Sequence, residues 1–369
     1  MNRKHLIEKL QFAQLRTRLA DQIAHFHPDL RKTLLNNLSE LVAAITLARN
    51  VQLAAIGAKL PVDTDAESRE QWVRRQLSND TKGTLELFRP LAQSLLAGFA
   101  GRSIRLILDP TDLSDDLTIV QLAVAYRGRA LPLAWMTVYI KPGTVQEAIR
   151  LLFAEVKAWL PADSRVYLIG DREFHGEDML ALIRAQTWIP VVRTKGNLIV
   201  EQDDGTRSRV ADLAPQHGQA AFYQRVFLTG WDWGPYSLSV ATADPSQRGA
   251  KGDDPWFIVS TEPAGPPILN LYRVRMWADE MFRDLKSQGF HLDQTRLDRP
   301  DRIDRLMLAL ALAYWWVIGR GIWVDRMQLR DRVDRQDDPA CSLFTLGLRW
   351  ICRQLDLDEL PDVVLLPVL

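Results

Sequence analysis

At residue 103 the hydrophobic period of this chain changes, and that change limits the architecture more than any other feature. Upstream, apolar residues recur at helical spacing, as in Leu34, Leu38, Leu41, Ile45 and Leu53, and no segment alternates as a strand would. Downstream, residues 103–109 form a strand-like run ending in Asp109. Residues 122–126 and 130–135 flank Arg127-Gly128-Arg129 and read as a hairpin. A helix is expected at 144–160, a strand at 166–170 followed by Asp171, a helix at 176–186 and a strand at 188–192. Strand, hairpin, helix, strand, helix, strand makes an α/β core with a mixed sheet. Residues 198–252 are turn-rich with short alternating runs and read as a β-rich insertion, whose Trp231 and Trp233 suit hairpin packing. Residues 256–261 then return to the core as a strand.

Composition narrows the class of protein. A hydrophobic content of 47% is ample for a packed interior. A formal net charge of zero gives no overall attraction to nucleic acid, so any such surface needs local segregation of basic residues. Cys341 and Cys352 have neither zinc spacing nor a disulfide framework, which suits a reducing compartment. The polar start, Met1-Asn2-Arg3-Lys4-His5, lacks the apolar core of a signal peptide. The apolar stretch 306–324 is interrupted by Arg320 and two glycines, so it reads as a buried helix around Trp315 and Trp316, not a membrane span.

Chemistry concentrates in a short list of residues. Tyr272, Arg275, Asp279 and Lys286 fall at offsets 0, 3, 7 and 14 of one expected helix. At about 100° per residue they lie within roughly 60° of each other, an acid flanked by cations on one stripe. Asp109 and Asp171 each end a buried-looking strand, where α/β sheets hold ligands in the crevice beyond the carboxyl ends. Three carboxylates are a minimal way to hold a pair of hard divalent cations. Arg275 and Lys286 would then anchor phosphates. Arg172, Arg193 and Lys195, beside core strands, are further candidate phosphate contacts, each equally suited to a solvated or ion-paired face. His175 reads as a surface or supporting residue.

Three blocks of sequence resemble the DDE transposases of bacterial insertion sequences, in particular the IS-four group with its Y-x2-R-x3-E-x6-K signature. They are Leu106-Ile107-Leu108-Asp109-Pro110-Thr111, Leu168-Ile169-Gly170-Asp171-Arg172-Glu173-Phe174, and Tyr272 through Lys286 continuing to Phe290. The resemblance covers about residues 30–320. It implies an RNase H-like core with a β-rich insertion before the third acid and an N-terminal all-helical region. The corresponding division is 1–98 for binding DNA ends, 99–200 and 253–320 for the core, 201–252 for the insertion and 321–369 for a helical tail.

The activity implied is nicking of transposon ends and strand transfer into target DNA, with two Mg²⁺ ions (Mn²⁺ able to substitute) on Asp109, Asp171 and the third acid. Tyr272, Arg275 and Lys286 fall where the family contacts end phosphates. Trp256 falls where hairpin-forming members stack on a flipped base, though it also suits a core tryptophan on a strand. Implied partners are double-stranded DNA and a second copy on paired ends, with no membrane. The implied setting is the bacterial cytoplasm, at the nucleoid when DNA is bound. The family's third acid is glutamate, whereas Asp279 occupies that register and Glu280 follows it. Aspartate is one methylene shorter, while Glu280 has the length but points about 100° away. Asp279 keeps the common stripe and is favoured. Two other outcomes stay open: a nuclease that cuts without joining, and a catalytically impaired DNA-binding relic.

Overall fold

A computed structural model describes residues 3–228, 233–242, 255–335, 337 and 340–366. The expected turn at Trp231 lies outside the described residues, as does the side chain of Trp233. Five helices come first: α1 (Arg3–Phe26), α2 (Lys32–Ala48), α3 (Leu53–Lys59), α4 (Ala66–Leu77) and α5 (Thr84–Ala97). The sheet begins with β1 (Ile104–Asp112), β2 (Leu117–Tyr126) and β3 (Arg129–Tyr139). Next come α6 (Thr144–Lys157), β4 (Val166–Gly170), α7 (Glu177–Ala185) and β5 (Ile189–Arg193).

The hairpin turn is two residues long. Arg127 and Gly128 both have positive φ, 46° and 80°, which matches the twist of the flanking strands. β1 pairs antiparallel with β2 and parallel with β4, and β4 pairs parallel with β5. This β3-β2-β1-β4-β5 order is the expected RNase H-like mixed core. β3 lies at the sheet's end, where Pro132 is tolerated because an edge strand needs no full set of amide donors.

The insertion contributes β6 (Ile199–Glu201), β7 (Arg207–Arg209), β8 (Ala220–Leu228) and β9 (Trp233–Ala241), followed by β10 (Trp256–Ser260). These strands extend the core sheet. β10 pairs with β5 on one side and β9 on the other, giving ten strands in the order β3-β2-β1-β4-β5-β10-β9-β8-β6-β7. Helices α8 (Pro266–Arg273), α9 (Met276–Leu285), α10 (Pro300–Arg326) and α11 (Leu343–Asp356) complete the described chain.

Every residue of β2 is buried, so both faces of the sheet are covered there. α10 is long and apolar enough to cross a membrane, yet it is sheathed by protein, as the sequence led us to expect. Trp315 donates to the Pro132 carbonyl at 3.0 Å, and its ring and that of Trp135 each pack edge-on against Phe88. One hydrophobic cluster runs from Phe12 in α1 to Leu365, so the N-terminal helices share their interior with the sheet.

α10 and α11 touch through glycines. A Cβ on Gly321 would overlap the Leu343 carbonyl, and one on Gly347 the Val317 carbonyl. Backbone on both sides leaves nothing flexible to give way. Gly347→Ala is therefore expected to lower unfolding free energy by about 3 kcal/mol, read from the denaturant midpoint. An unchanged midpoint would show that the helices separate at little cost.

Candidate active site

The parallel register of β1 and β4 ends at Leu108 opposite Gly170, so the next residues on the two strands are Asp109 and Asp171. Asp109 does not end its strand, contrary to expectation. β1 continues to Asp112 because β2 keeps pairing with it, Asp109 opposite Gln121. Asp171 does follow the last residue of β4. Its Oδ1 accepts from the Arg172 amide at 2.6 Å, capping a single turn of 3₁₀ helix.

The four-residue stripe is not carried by one helix. Tyr272 lies on α8, Arg275 at the N-cap of α9, Asp279 within α9, and Lys286 at its C-cap. Between α8 and α9 the amides of Val274, Arg275, Trp277 and Ala278 bond three residues back, so the helix tightens and the 3.6-residue period is interrupted. The side chains still converge. Arg275 Nη1 is 3.4 Å from Asp109 Oδ2 and 3.9 Å from Asp171 Oδ2, and its Nη2 is 3.2 Å from Asp279 Oδ2. The Tyr272 hydroxyl reaches Asp171 Oδ1 at 3.4 Å, and Lys286 Nζ donates to the Asp112 carbonyl at 2.7 Å.

Asp109, Asp279 and Lys286 line one open cleft of about 340 Å³, together with Arg283 and Ser287. Arg283 escaped the sequence reading. Its position four residues after Asp279 on α9 is the signal that places it on the same face. Glu280 faces elsewhere. Its carboxylate is gripped by Arg129 at 3.2 Å and Arg283 at 3.1 Å, and the Arg129 side chain is only 10% exposed. The 100° step along the helix thus sends the two adjacent acids to different partners.

Burial pushes the Asp109 carboxyl up to about 7, with Asp279, Asp171 and Glu173 adding to it and Arg275 opposing. Burial also raises Asp279, again against Arg275. Lys286 is lowered by burial, and Tyr272 is raised by burial and by Asp171. For Arg275 burial works against the charge, but Asp279, Tyr272, Asp171 and Asp109 outweigh it and hold the guanidinium firmly protonated.

Three hard oxygen donors facing one cation are the right chemistry for a divalent metal. Among the described residues no set of acids, histidines or cysteines closes tightly enough to hold an ion as the side chains stand. The guanidinium of Arg275 occupies the place between the carboxylates. The three carboxylates are of the kind a divalent metal takes, but in this conformation Arg275 supplies the positive charge among them.

The remaining candidates gather next door. Arg172, Arg193 and Lys195 line a second cleft of about 280 Å³ with Pro255 and Phe257. Arg193 also donates to the Pro255 carbonyl at 3.2 Å. Trp256 is half-buried and meets Tyr272 edge to face at 5.1 Å, so it touches the acid cluster through that ring. The imidazole of His175 bonds the Arg172 carbonyl, and burial lowers its pKa.

A family model described as Transposase DDE domain matches residues 118–316, more than half of the chain. The match takes in Asp171, Tyr272, Arg275, Asp279 and Lys286, while Asp109 lies just before it. No curated protein matches the chain.

Proposed function

This chain belongs to the transposase DDE-domain family, and from that premise we propose that it is an IS-four-type enzyme of cut-and-paste transposition. The observation that supports this best is the contact of one guanidinium with Asp109, Asp171 and Asp279, on the rim of a cleft that also holds Lys286. In this reading the three aspartates would hold two Mg²⁺ ions. Bound there, the ions supply Lewis-acid activation of the attacking oxygen and charge stabilisation of the leaving one.

The chain's own residues do the positioning. Lys286, anchored on the β1 carbonyl of Asp112, offers its ammonium to a phosphate at the cleft mouth. Arg275 and Arg283 offer planar donors suited to two phosphate oxygens. Tyr272 orients Asp171 by its hydroxyl, and Trp256 braces the tyrosine ring. Hydrolysis adds water across a P–O3′ bond and leaves a 3′-hydroxyl on the end. That hydroxyl then displaces a 3′ oxygen in target DNA, so one phosphodiester forms for each one broken. No nucleotide cofactor is consumed, and no general-base histidine is needed.

We further assign end binding to residues 1–98 with the Arg172–Lys195 cleft beside the acids, and pairing of ends to a homodimer. The test uses the element's own termini, identified as inverted repeats flanking the coding region. Purified protein with Mg²⁺ or Mn²⁺ is expected to nick those ends and to join precleaved ends to plasmid DNA, and Asp109→Ala to do neither. Cleavage without joined product would make the protein a nuclease. No metal-dependent cleavage at all would make it a DNA-binding relic.

A further inference from the structure

A second basic cleft, outside the acid cluster, has no role in the reading above. It encloses about 490 Å³ between the end of α2, the segment after α10 and the outer face of α11. Arg49, Arg332, Arg349 and Arg353 line it, with Asp356 the one acid among its walls. Among the described residues none of these four arginines forms an ion pair, whereas neighbouring Arg330 is tied to both Asp325 and Asp334. Arg349 and Arg353 stand four residues apart on one helix face, a like-charge spacing that destabilises a helix. Arg49 holds the left-handed conformation at the α2 C-cap, φ 50°, where glycine or asparagine is the usual choice. All four are exposed. Arg349 also donates to the Val333 carbonyl at 3.0 Å, but for the other three arginines local packing among the described residues gives no reason for the charge.

The position supplies one. Ser287 lines the catalytic cleft and Gln288, the next residue, lines the basic one. The turn that joins them is tightly held. Gln288 and His291 bond back to the Arg283 and Lys286 carbonyls, Val51 bonds the Phe290 carbonyl, and a Cβ on Gly289 would overlap the Asp284 carbonyl. The two clefts therefore meet across a fixed turn at the C-terminal end of α9.

We infer that the basic cleft binds the phosphodiester backbone of duplex DNA on its way past the catalytic cleft. The inference rests on DNA being the substrate. A strand presents one phosphate per about 3.4 Å of helix axis, so a backbone gripped at Lys286 offers several more to the arginines beyond Gln288. Backbone contacts of this kind fix register and carry no sequence information, so the cleft adds affinity for any duplex.

The test is equilibrium binding of the full chain to a labelled duplex of arbitrary sequence, by fluorescence anisotropy over a salt series without metal. The variant carries Arg49→Gln, Arg332→Gln, Arg349→Gln and Arg353→Gln. The control changes four exposed arginines elsewhere, Arg150, Arg165, Arg299 and Arg326, to glutamine, so net charge is matched. Each lost phosphate contact lowers the slope of log K against log salt by about 0.9, so the cleft variant, lacking four arginines, is expected to lose about 3.6 units and bind at least ~30-fold more weakly. The control should stay near the parent. Equal losses in both variants, or a parent-like slope in the cleft variant with an unchanged melting midpoint, would overturn the proposal. A parent protein that binds no duplex would instead remove the DNA reading itself.

Discussion

Replacing Asp279 with asparagine is expected to lower Mg²⁺-dependent DNA cleavage by at least ~1000-fold, and replacing Glu280 with glutamine by less than about threefold. The two acids are adjacent, so a general effect of charge on DNA affinity would strike both alike. Their surroundings differ. Asp279 shares Arg275 with Asp109 and Asp171, while Glu280 is held between Arg129 and Arg283. Glutamine at 280 keeps an acceptor for the buried Arg129 and so spares the fold. Asparagine at 279 keeps the volume and removes the charge on which a metal would depend. Asp279→Glu, which keeps the charge on a side chain one methylene longer, is expected to remain active. Single-turnover cleavage of cognate ends reads all three. Loss in Glu280→Gln alone would mean that α9 presents its other face when DNA is bound.

The second expectation concerns stability. Asp109 sits near 7 when folded and in the ordinary carboxylate range, near 3.8, when unfolded. Between those values the unfolded chain has released a proton that the folded chain keeps. Stability therefore falls as pH rises from about 4 to about 7, and stays low above that. Roughly three units would amount to about 4 kcal/mol if fully expressed, and about 2 kcal/mol is a better expectation at a side chain that is 16% exposed.

Asp109→Asn should accordingly stabilise the metal-free protein at pH 8 by about 2 kcal/mol while abolishing cleavage. The slope would shrink without vanishing, because Asp304, near 7, and Asp284, near 6, are raised by burial as well. Mg²⁺ at pH 8 should raise the melting midpoint of the parent and leave that of Asp109→Asn unmoved. A variant less stable than the parent at pH 8 would show that the pairing with Arg275 outweighs the cost of burying the charge.

Much of this was legible in the residues because local patterns and global packing agree. The strand 166–170, the helices on either side of it and the hairpin turn at Arg127-Gly128 all carry strong period or turn signals. The misses fall where the structure departs from what each segment's own pattern records. β1 runs past Asp109 because β2 pairs with Pro110, Thr111 and Asp112. The helix carrying the acid breaks at Val274, although no proline or glycine marks the place, and the bonds there shorten to three residues. Periodicity could put Tyr272, Arg275 and Asp279 on one side of a cylinder. It could not show that Arg275 would lie between three carboxylates, because two of those come from strands more than a hundred residues earlier. The grip on Glu280 depends in part on Arg129, from the far end of a hairpin, and was equally hidden.

The continuity of the sheet has a consequence for anyone who would trim this protein. β10 receives hydrogen bonds from β5 on one side and from β9 on the other. Excising residues 199–241 to obtain a minimal catalytic fragment would strip one whole row of partners from Phe257, Ile258 and Val259, all buried in the intact chain. An apolar run with open amides and carbonyls is a template for pairing with another molecule. A shortened protein would be sticky at the strand whose first residue, Trp256, braces Tyr272. What reads along the sequence as an accessory is, in three dimensions, the seal on the sheet's flank.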